Sequence, residues 1–403
     1  MAIASLIRRP AQRLGIAVIA SGLVLGAQPF AIASVAAASP TLTITADRAA
    51  AIPAGHNWSY NDFFPRTISV RQGATVRFSI QGFHTSTLLP AGMSATAARV
   101  SMGLLAADAD DTAVNPNGSP HTQLNLAAAF PIPGGCGSAA SPCTFNGTAP
   151  ISSGAPLTGP IAPLNVKVTA PVGFYRYVCL IHPQMQGWLA VVPGQFQATT
   201  PAQLKARVRA QVRADRAAGF AAEKASSTPH SKLNLDGTRT WFMTAGTGSP
   251  DGRVTILEML PRNLTIKRGD KVSWVSRATN EPHTITFPTE LHSDMVAMCE
   301  NGATDTPAPP TVIPPTGPQD FGCNGGPADE VEFGGGNGVT HITSASTVAD
   351  SGVIASKAEL AGFGLPASTL KSRWTVSFAG AARTTYHYLC QIHAGMVGTI
   401  TVH

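Results

Sequence analysis

The feature that most constrains the fold is that the chain repeats itself. Phe64-Pro-Arg-Thr-Ile-Ser-Val-Arg-Gln-Gly73 lines up with Leu260-Pro-Arg-Asn-Leu-Thr-Ile-Lys-Arg-Gly269. Alternating strand residues follow each block, Val76, Phe78 and Ile80 in one and Val272 and Trp274 in the other. Next comes a His-Thr pair, His84-Thr85 or His283-Thr284. Far downstream, Tyr175-Arg-Tyr-Val-Cys179 matches Tyr386-His-Tyr-Leu-Cys390. Order is kept through the whole unit, which is the signature of a tandem duplication of one domain. At 403 residues the chain has room for two such domains.

Short alternating strands split by Gly, Pro and Asn turns favour an antiparallel sandwich in each copy. The composition agrees: 39 Gly, 32 Pro and only 12% charged residues describe a loop-rich, β-rich chain. The expected fold class is all-β, two tandem Greek-key β-sandwich domains joined by a helical linker. The expected boundaries are a signal peptide over 1–38, a first domain over 39–196, a basic linker over 197–235 and a second domain over 236–403. Each domain carries a long Gly/Pro-rich insertion between its His-bearing and Cys-bearing strands. In the linker, Thr200 reads as an N-cap with Pro201 in the first turn. Leu204, Val208 and Val212 recur every four residues and predict a spacer helix packed on a domain edge.

Arg8, Arg9 and Arg13 precede an apolar stretch from Leu14 to Ala27, and small-residue cleavage sites follow at 31–33 and 36–38. This pattern predicts export, secreted or periplasmic, with no integral membrane segment once the signal is removed. Arg8-Arg9 leaves the export route open. The chain carries a formal charge of +6, but the excess sits in the signal and the linker. Neither large domain concentrates Lys and Arg, so a nucleic-acid partner is not expected.

The chemistry lies in two loops, Tyr-Val-Cys179-Leu-Ile-His182-Pro-Gln-Met185 and Tyr-Leu-Cys390-Gln-Ile-His393-Ala-Gly-Met396. A strand that delivers Cys179 and turns sharply can bring Cys179, His182 and Met185 to one point, with His84 arriving from another strand. Two imidazoles, one thiolate and a weak thioether are the donor set of a blue-copper electron-transfer site. His283, Cys390, His393 and Met396 repeat it. Zinc would bind such donors, but a Met ligand argues for copper.

On these motifs the chain resembles the cupredoxins, the family of plastocyanin and amicyanin, from Thr41 to Val192 and again from Thr255 to Val402. The resemblance implies two type 1 copper sites ligated by the eight residues just named. It also implies that His182 and His393 are the edges nearest solvent and serve as electron ports for a transient redox protein partner. Pro183, Gly187 and Trp188, or Ala394, Gly395 and Val397, would make the docking patches. Two linked cupredoxin domains also resemble multicopper oxidases and copper nitrite reductases, which place a His directly beside the ligand Cys. Here Val178 and Leu389 precede the cysteines and no His-x-His occurs. An electron carrier is therefore expected over an enzyme. A catalytic copper built from His121, His292 or His341, and a copper capture or storage role, stay open as alternatives. His387 is expected to point away from the metal pocket by strand alternation.

Of the remaining cysteines, Cys136 and Cys143 lie in the first insertion and Cys299 and Cys323 in the second. One local disulfide per domain is the simplest expectation for an exported protein. A second metal site at Met295, Met298 and Cys299 is the alternative. Oligomeric state is not legible.

Overall fold

The computed structural model describes residues 41–107, 122–124, 135–154, 161–289, 322–323, 326–327, 332–333, 338–393 and 395–403. The signal over 1–38, the Cys299–Cys323 pairing, the Met295/Met298/Cys299 alternative and Ala394 fall outside the described residues, as do His121 and His292. Among the described residues no helix is long and apolar enough to cross a membrane.

The fold is all-β with few helices, and the same strand order occurs twice. In the first half, one sheet runs Phe63–Phe64, Leu42–Ala46, Thr75–Ile80, Leu164–Val168, Cys143–Phe145. The other runs Thr67–Val70, Gln186–Val191, Gly173–Val178, Thr87–Leu88, Ile151–Ser152. In the second half the corresponding sheets are Thr255–Leu260, Arg239–Gly248, Lys271–Val275, Arg373–Phe378, His341–Ile342, and Asn263–Ile266, Val397–Val402, Thr384–Leu389, Thr286–Phe287, Ala349–Asp350. The pleat sends alternate residues inward. Ile44, Phe78 and Val166 from one sheet thus meet Ile68, Tyr177 and Leu189 from the other in a single core. Trp274, Val376, Tyr388 and Ile400 do the same in the second half. One short strand crosses over: Trp58–Ser59, from the first half, pairs with Thr255–Leu260 at the edge of the second half's sheet.

The linker is a helix, Pro201–Ser227, begun by a capping box in which Thr200 and Gln203 satisfy each other's backbone amides. Its apolar stripe does what the spacing predicts. Val208 and Val212 pack on Trp58, Tyr60 and Ile256, while Leu204 reaches the first core. Polar anchors lock it in place. Gln211 donates to Asp62 and to the Phe63 carbonyl at 2.9 and 2.7 Å, and Arg66 pairs with Asp215. The expected disulfide Cys136–Cys143 is formed.

The strand that carries each Cys is held by one recurring device. Tyr177 faces Gly187 across the ladder, and Tyr388 faces Gly398 in the same way. Each ring lies flat over the glycine: a Cβ at Gly187 would stand 2.1 Å from Tyr177, and one at Gly398 would stand 2.4 Å from Tyr388. The rings are wholly buried, so neither can swing aside without disturbing the core. Gly187→Ala and Gly398→Ala are therefore expected to destabilise by about 1–3 kcal/mol each as overpacking. At Gly194 a Cβ would meet nothing within 4 Å. Thermal unfolding checks this: both variants lower Tm while Gly194→Ala does not, and equal Tm values for all three would refute the device.

Candidate metal centres

Each Cys sits where its strand ends and the chain turns back on itself. The turn is closed by backbone bonds, Cys179 N to Met185 O at 3.0 Å and Met185 N to His182 O at 3.0 Å. The second turn repeats them, Cys390 N to Met396 O at 2.9 Å and Met396 N to His393 O at 3.2 Å. The His-Thr pair arrives from the neighbouring strand and supplies two further links. The Thr85 amide donates to Cys179 Sγ at 3.3 Å, and its hydroxyl accepts from Leu180 N at 2.8 Å. Thr284 makes the same pair of bonds to Cys390 Sγ and Gln391 N, at 3.3 and 2.8 Å. The repeat marked both threonines, but only the structure explains them: they fix where the sulfur points.

These constraints bring the predicted donors together. His84 Nδ1 and His182 Nδ1 lie 2.9 Å apart, and Cys179 Sγ lies 3.9 and 3.3 Å from them. His283 Nδ1 and His393 Nδ1 are 3.2 Å apart, with Cys390 Sγ at 3.9 and 3.5 Å. In both clusters every donor atom lies within 4.8 Å of the others. Met185 and Met396 are fully buried at the closing end of each turn.

The electrostatics follow from burial. Desolvation alone would keep both thiols protonated. Instead Cys179 is held well below the ordinary thiol range by His182 and His84, and Cys390 by hydrogen bonds from His283 and His393. Burial disfavours charge on His182, yet Glu281 and the Cys179 thiolate lift it to about 10. His393 is lifted to about 10 in the same way by Cys390 and Glu281.

A metal fits this donor set. Two imidazole Nδ1 atoms at hydrogen-bonding distance with a thiolate between them are three lone-pair donors turned on one point, which a soft or borderline cation satisfies. The second cluster also has a cradle. Gly246, at φ +67°, leaves room for the His283 ring, since a Cβ there would stand 1.8 Å from His283 Nε2.

One residue that sequence reasoning missed joins the two clusters. The Glu281 carboxylate accepts from His182 Nε2 at 2.9 Å through Oε1 and from His393 Nε2 at 3.2 Å through Oε2. It also accepts from Asn61 Nδ2 at 3.3 Å. Glu281 stands two positions before His283, a place where the first half has Gly82, so the comparison of repeats passes over it. The expectation that His182 faces solvent is therefore corrected. His182 is 4% exposed, and its neighbours Pro183 and Gln184 are covered by Gly362 and Gly252 of the second half. His393 is half-buried, beside the exposed Gly395.

Arg99 is the second missed residue. Buried on the helix Ala95–Ser101, it donates to the carbonyls of Leu180, Cys179 and His182 at 2.7, 2.6 and 3.1 Å. Nothing local in the sequence separates it from a surface arginine.

Among the described residues the other histidines stay apart from the clusters. His387 is exposed, as alternation requires. His341 bonds Ser377 at the surface. His56, Glu223 and Glu258 also come within 4.8 Å of one another. There His56 and Trp58 both bond the Glu223 carboxylate, at 2.8 and 3.2 Å, which accounts for the grouping as an ion pair.

No family model and no curated protein sequence matches the chain. Among solved structures it is similar to reduced auracyanin from the photosynthetic bacterium Roseiflexus castenholzii, at 20% identity over 39% of this chain and 99% of that one, TM-score 0.21. It is also similar to blue copper oxidase from Nitrosomonas europaea, at 11% identity over 90% of this chain and 85% of that one, TM-score 0.18. A third is the Cu-containing nitrite reductase from Thermus scotoductus SA-01, at 13% identity over 90% and 68%, TM-score 0.19. Overlaps this loose carry no functional weight; the donor atoms must.

Beside Glu281 lies a carboxyl of opposite behaviour. Glu359 is buried and its Oε2 finds no hydrogen-bond partner. Burial, then the nearby Glu281 charge, hold it well above its ordinary value of 4.5. The unfolded chain releases this proton near 4.5 while the folded chain keeps it. The folded state then binds more protons, and stability falls as pH rises above about 4.5. The loss reaches at most about 1.4 kcal/mol per pH unit. Replacing Glu359 with Gln should flatten this slope between about pH 5 and pH 8. Denaturant unfolding of the metal-free protein is the check, and identical slopes for the two proteins would count against it.

Proposed function

We propose that the chain is an exported copper protein that carries single electrons, with one type 1 copper in each half. His84, Cys179, His182 and Met185 would hold the first, and His283, Cys390, His393 and Met396 the second. One observation carries the proposal: the same Nδ1, Nδ1, Sγ cluster is assembled twice, at the same point of the same strand order. Soft sulfur with borderline nitrogen suits both oxidation states of copper, and a buried Met at the end of the turn matches the weak axial donor of such sites.

Bound copper would supply a one-electron couple. The protein's own part is to keep the donors still. Closed turns, amide bonds to sulfur and the Tyr–Gly stacks leave each cluster little freedom to change shape. Thr85 N and Thr284 N draw charge from the sulfurs, and burial keeps water away. The exported location rests on the first 38 residues, and a transient redox protein remains the proposed partner. Its approach cannot use the His182 edge, which is enclosed; His393 is half-buried beside the exposed Gly395. Carrier is preferred to enzyme because Val178 and Leu389, not histidines, adjoin the ligand cysteines.

The test is copper content with absorption and electron-spin-resonance spectra. Two blue coppers per chain and no other copper signal are expected. A colourless copper-treated protein would defeat the proposal, and nitrite or dioxygen turnover would move it to an enzyme. Gly246→Ala gives a sharper expectation. The added methyl displaces the His283 ring, so bound copper should fall to one per chain with the first site's spectrum unchanged. Retention of both coppers would contradict the cradle.

A further inference from the structure

We propose that Glu281 is an electron relay: its carboxylate joins the two clusters into one two-centre unit, and a single electron passes between the metals through His182, Glu281 and His393. The inference rests on the copper reading of both clusters. What it adds is that the two sites serve each other rather than two separate docking surfaces.

The geometry gives the path atom by atom. Both imidazoles turn Nδ1 toward their cluster, so with a metal held on Nδ1 the remaining ring proton of each would lie on Nε2. Each Nε2–H donates to a different oxygen of one carboxylate, at 2.9 and 3.2 Å. The chain of atoms between the clusters is thus two aromatic rings, two charge-assisted hydrogen bonds and one carboxylate, with no solvent gap. Such bonds are shorter and stronger than neutral ones, and a dry setting strengthens them further.

The carboxylate is also positioned. Asn61 donates to its Oε1 at 3.3 Å. Its neighbour Asn280 accepts from the Gln184 amide at 2.6 Å and donates to the Gly252 carbonyl. The loop carrying Glu281 is thereby tied to the turn carrying His182. Glu281 itself is 9% exposed, and its two oxygens are each taken up by one of the two imidazoles it touches. In the exchange, one metal is oxidised by one electron and the other reduced by one. The hydrogen-bonded protons stay on Nε2, so no proton acceptor is needed.

The experiment uses the copper-loaded full chain. Met185→Gln, a change of axial donor, marks the first centre by colour. One electron per chain is injected by flash photolysis, and redistribution between the two absorption bands is followed. A rate independent of protein concentration is expected, slowed about tenfold or more by Glu281→Gln while copper content and both bands persist. An unchanged rate in that variant, or a rate proportional to protein concentration, overturns the proposal. Should Glu281→Gln lose its copper, the marked protein still decides: absence of a concentration-independent phase overturns it. In the Cu(I)-loaded protein, the Nε2–H resonances of His182 and His393 should both resist solvent exchange and both lose that protection in Glu281→Ala. Free exchange in the native chain would dispose of the bridge. A chain that takes up no copper defeats the copper reading itself, before any rate is measured.

Discussion

The rest of the structure depends on a buried sulfur anion. Taking a charge out of water costs several kcal/mol unless donors wait for it, and a donor that must first be ordered adds its own entropic cost. The structure meets Cys179 with donors already fixed by other duties: the Thr85 amide and the His84 imidazole beside it, and the His182 imidazole pinned by a closed turn. Cys390 is met by the same set. Hence the His-Thr pair, the short turn and the stacked tyrosine behind it recur together. They are parts of one solution to one electrostatic problem, and losing any of them exposes the sulfur to the full desolvation cost.

The same reasoning explains why the halves do not present independent faces. A ligand imidazole that offers Nδ1 inward leaves a polar N–H outward, and this N–H must meet water or a partner. Here the outward Nε2 atoms of His182 and His393, one from each half, both meet Glu281. The carbonyls of the first turn meet Arg99, whose guanidinium also reaches Gly362 of the second half at 3.4 Å. Asn61 and Asn280 complete the set by bonding across to Glu281 and Gln184. The two main apolar cores are separate, and a third apolar cluster joins Trp58, Tyr60 and Phe64 of the first half to Val254, Ile256 and Leu260 of the second. What links the two metal-binding clusters themselves is polar and directional, and each of these bonds is satisfied only while the other half is in place.

Much of this was readable in the sequence. Duplication, strand alternation and the two Cys-x-x-His-x-x-Met turns are local patterns, so the all-β fold, the capped linker helix, the Cys136–Cys143 bridge and the grouping of His84 with Cys179 and His182 could be anticipated. Glu281 could not, because its importance lies in a contact between repeats, and aligning the repeats sets it against Gly82. Arg99 was hidden for a related reason. It sits in an insertion with no periodic pattern, and its partners are backbone carbonyls that any sequence would offer. The solvent-facing port expected at His182 failed because a lone domain would have nothing to cover it, whereas here Glu281, Gly362 and Gly252 of the second copy do.

The duplication also produced two sites in unlike fields. Parallel pairing sets Thr45 against Ser79 and Thr244 against Val275, which makes Asp47 and Gly246 counterparts. Asp47 brings a carboxylate oxygen within 3.7 Å of His84 Nε2, and with the Cys179 thiolate it raises that imidazole's proton affinity despite complete burial. Gly246 brings nothing, so His283 Nε2 has no hydrogen-bond partner and burial lowers its proton affinity. A negative charge beside a ligand favours the more positive state of whatever the ligand holds. Identical donors holding the same metal would thus differ in electron affinity through one exchange of Asp for Gly outside the donor set. On the copper reading proposed above, two equal sites facing each other across a carboxylate would share an electron without preference, whereas two unequal ones would give it a direction, from the cluster beside Asp47 toward the cluster beside Gly246.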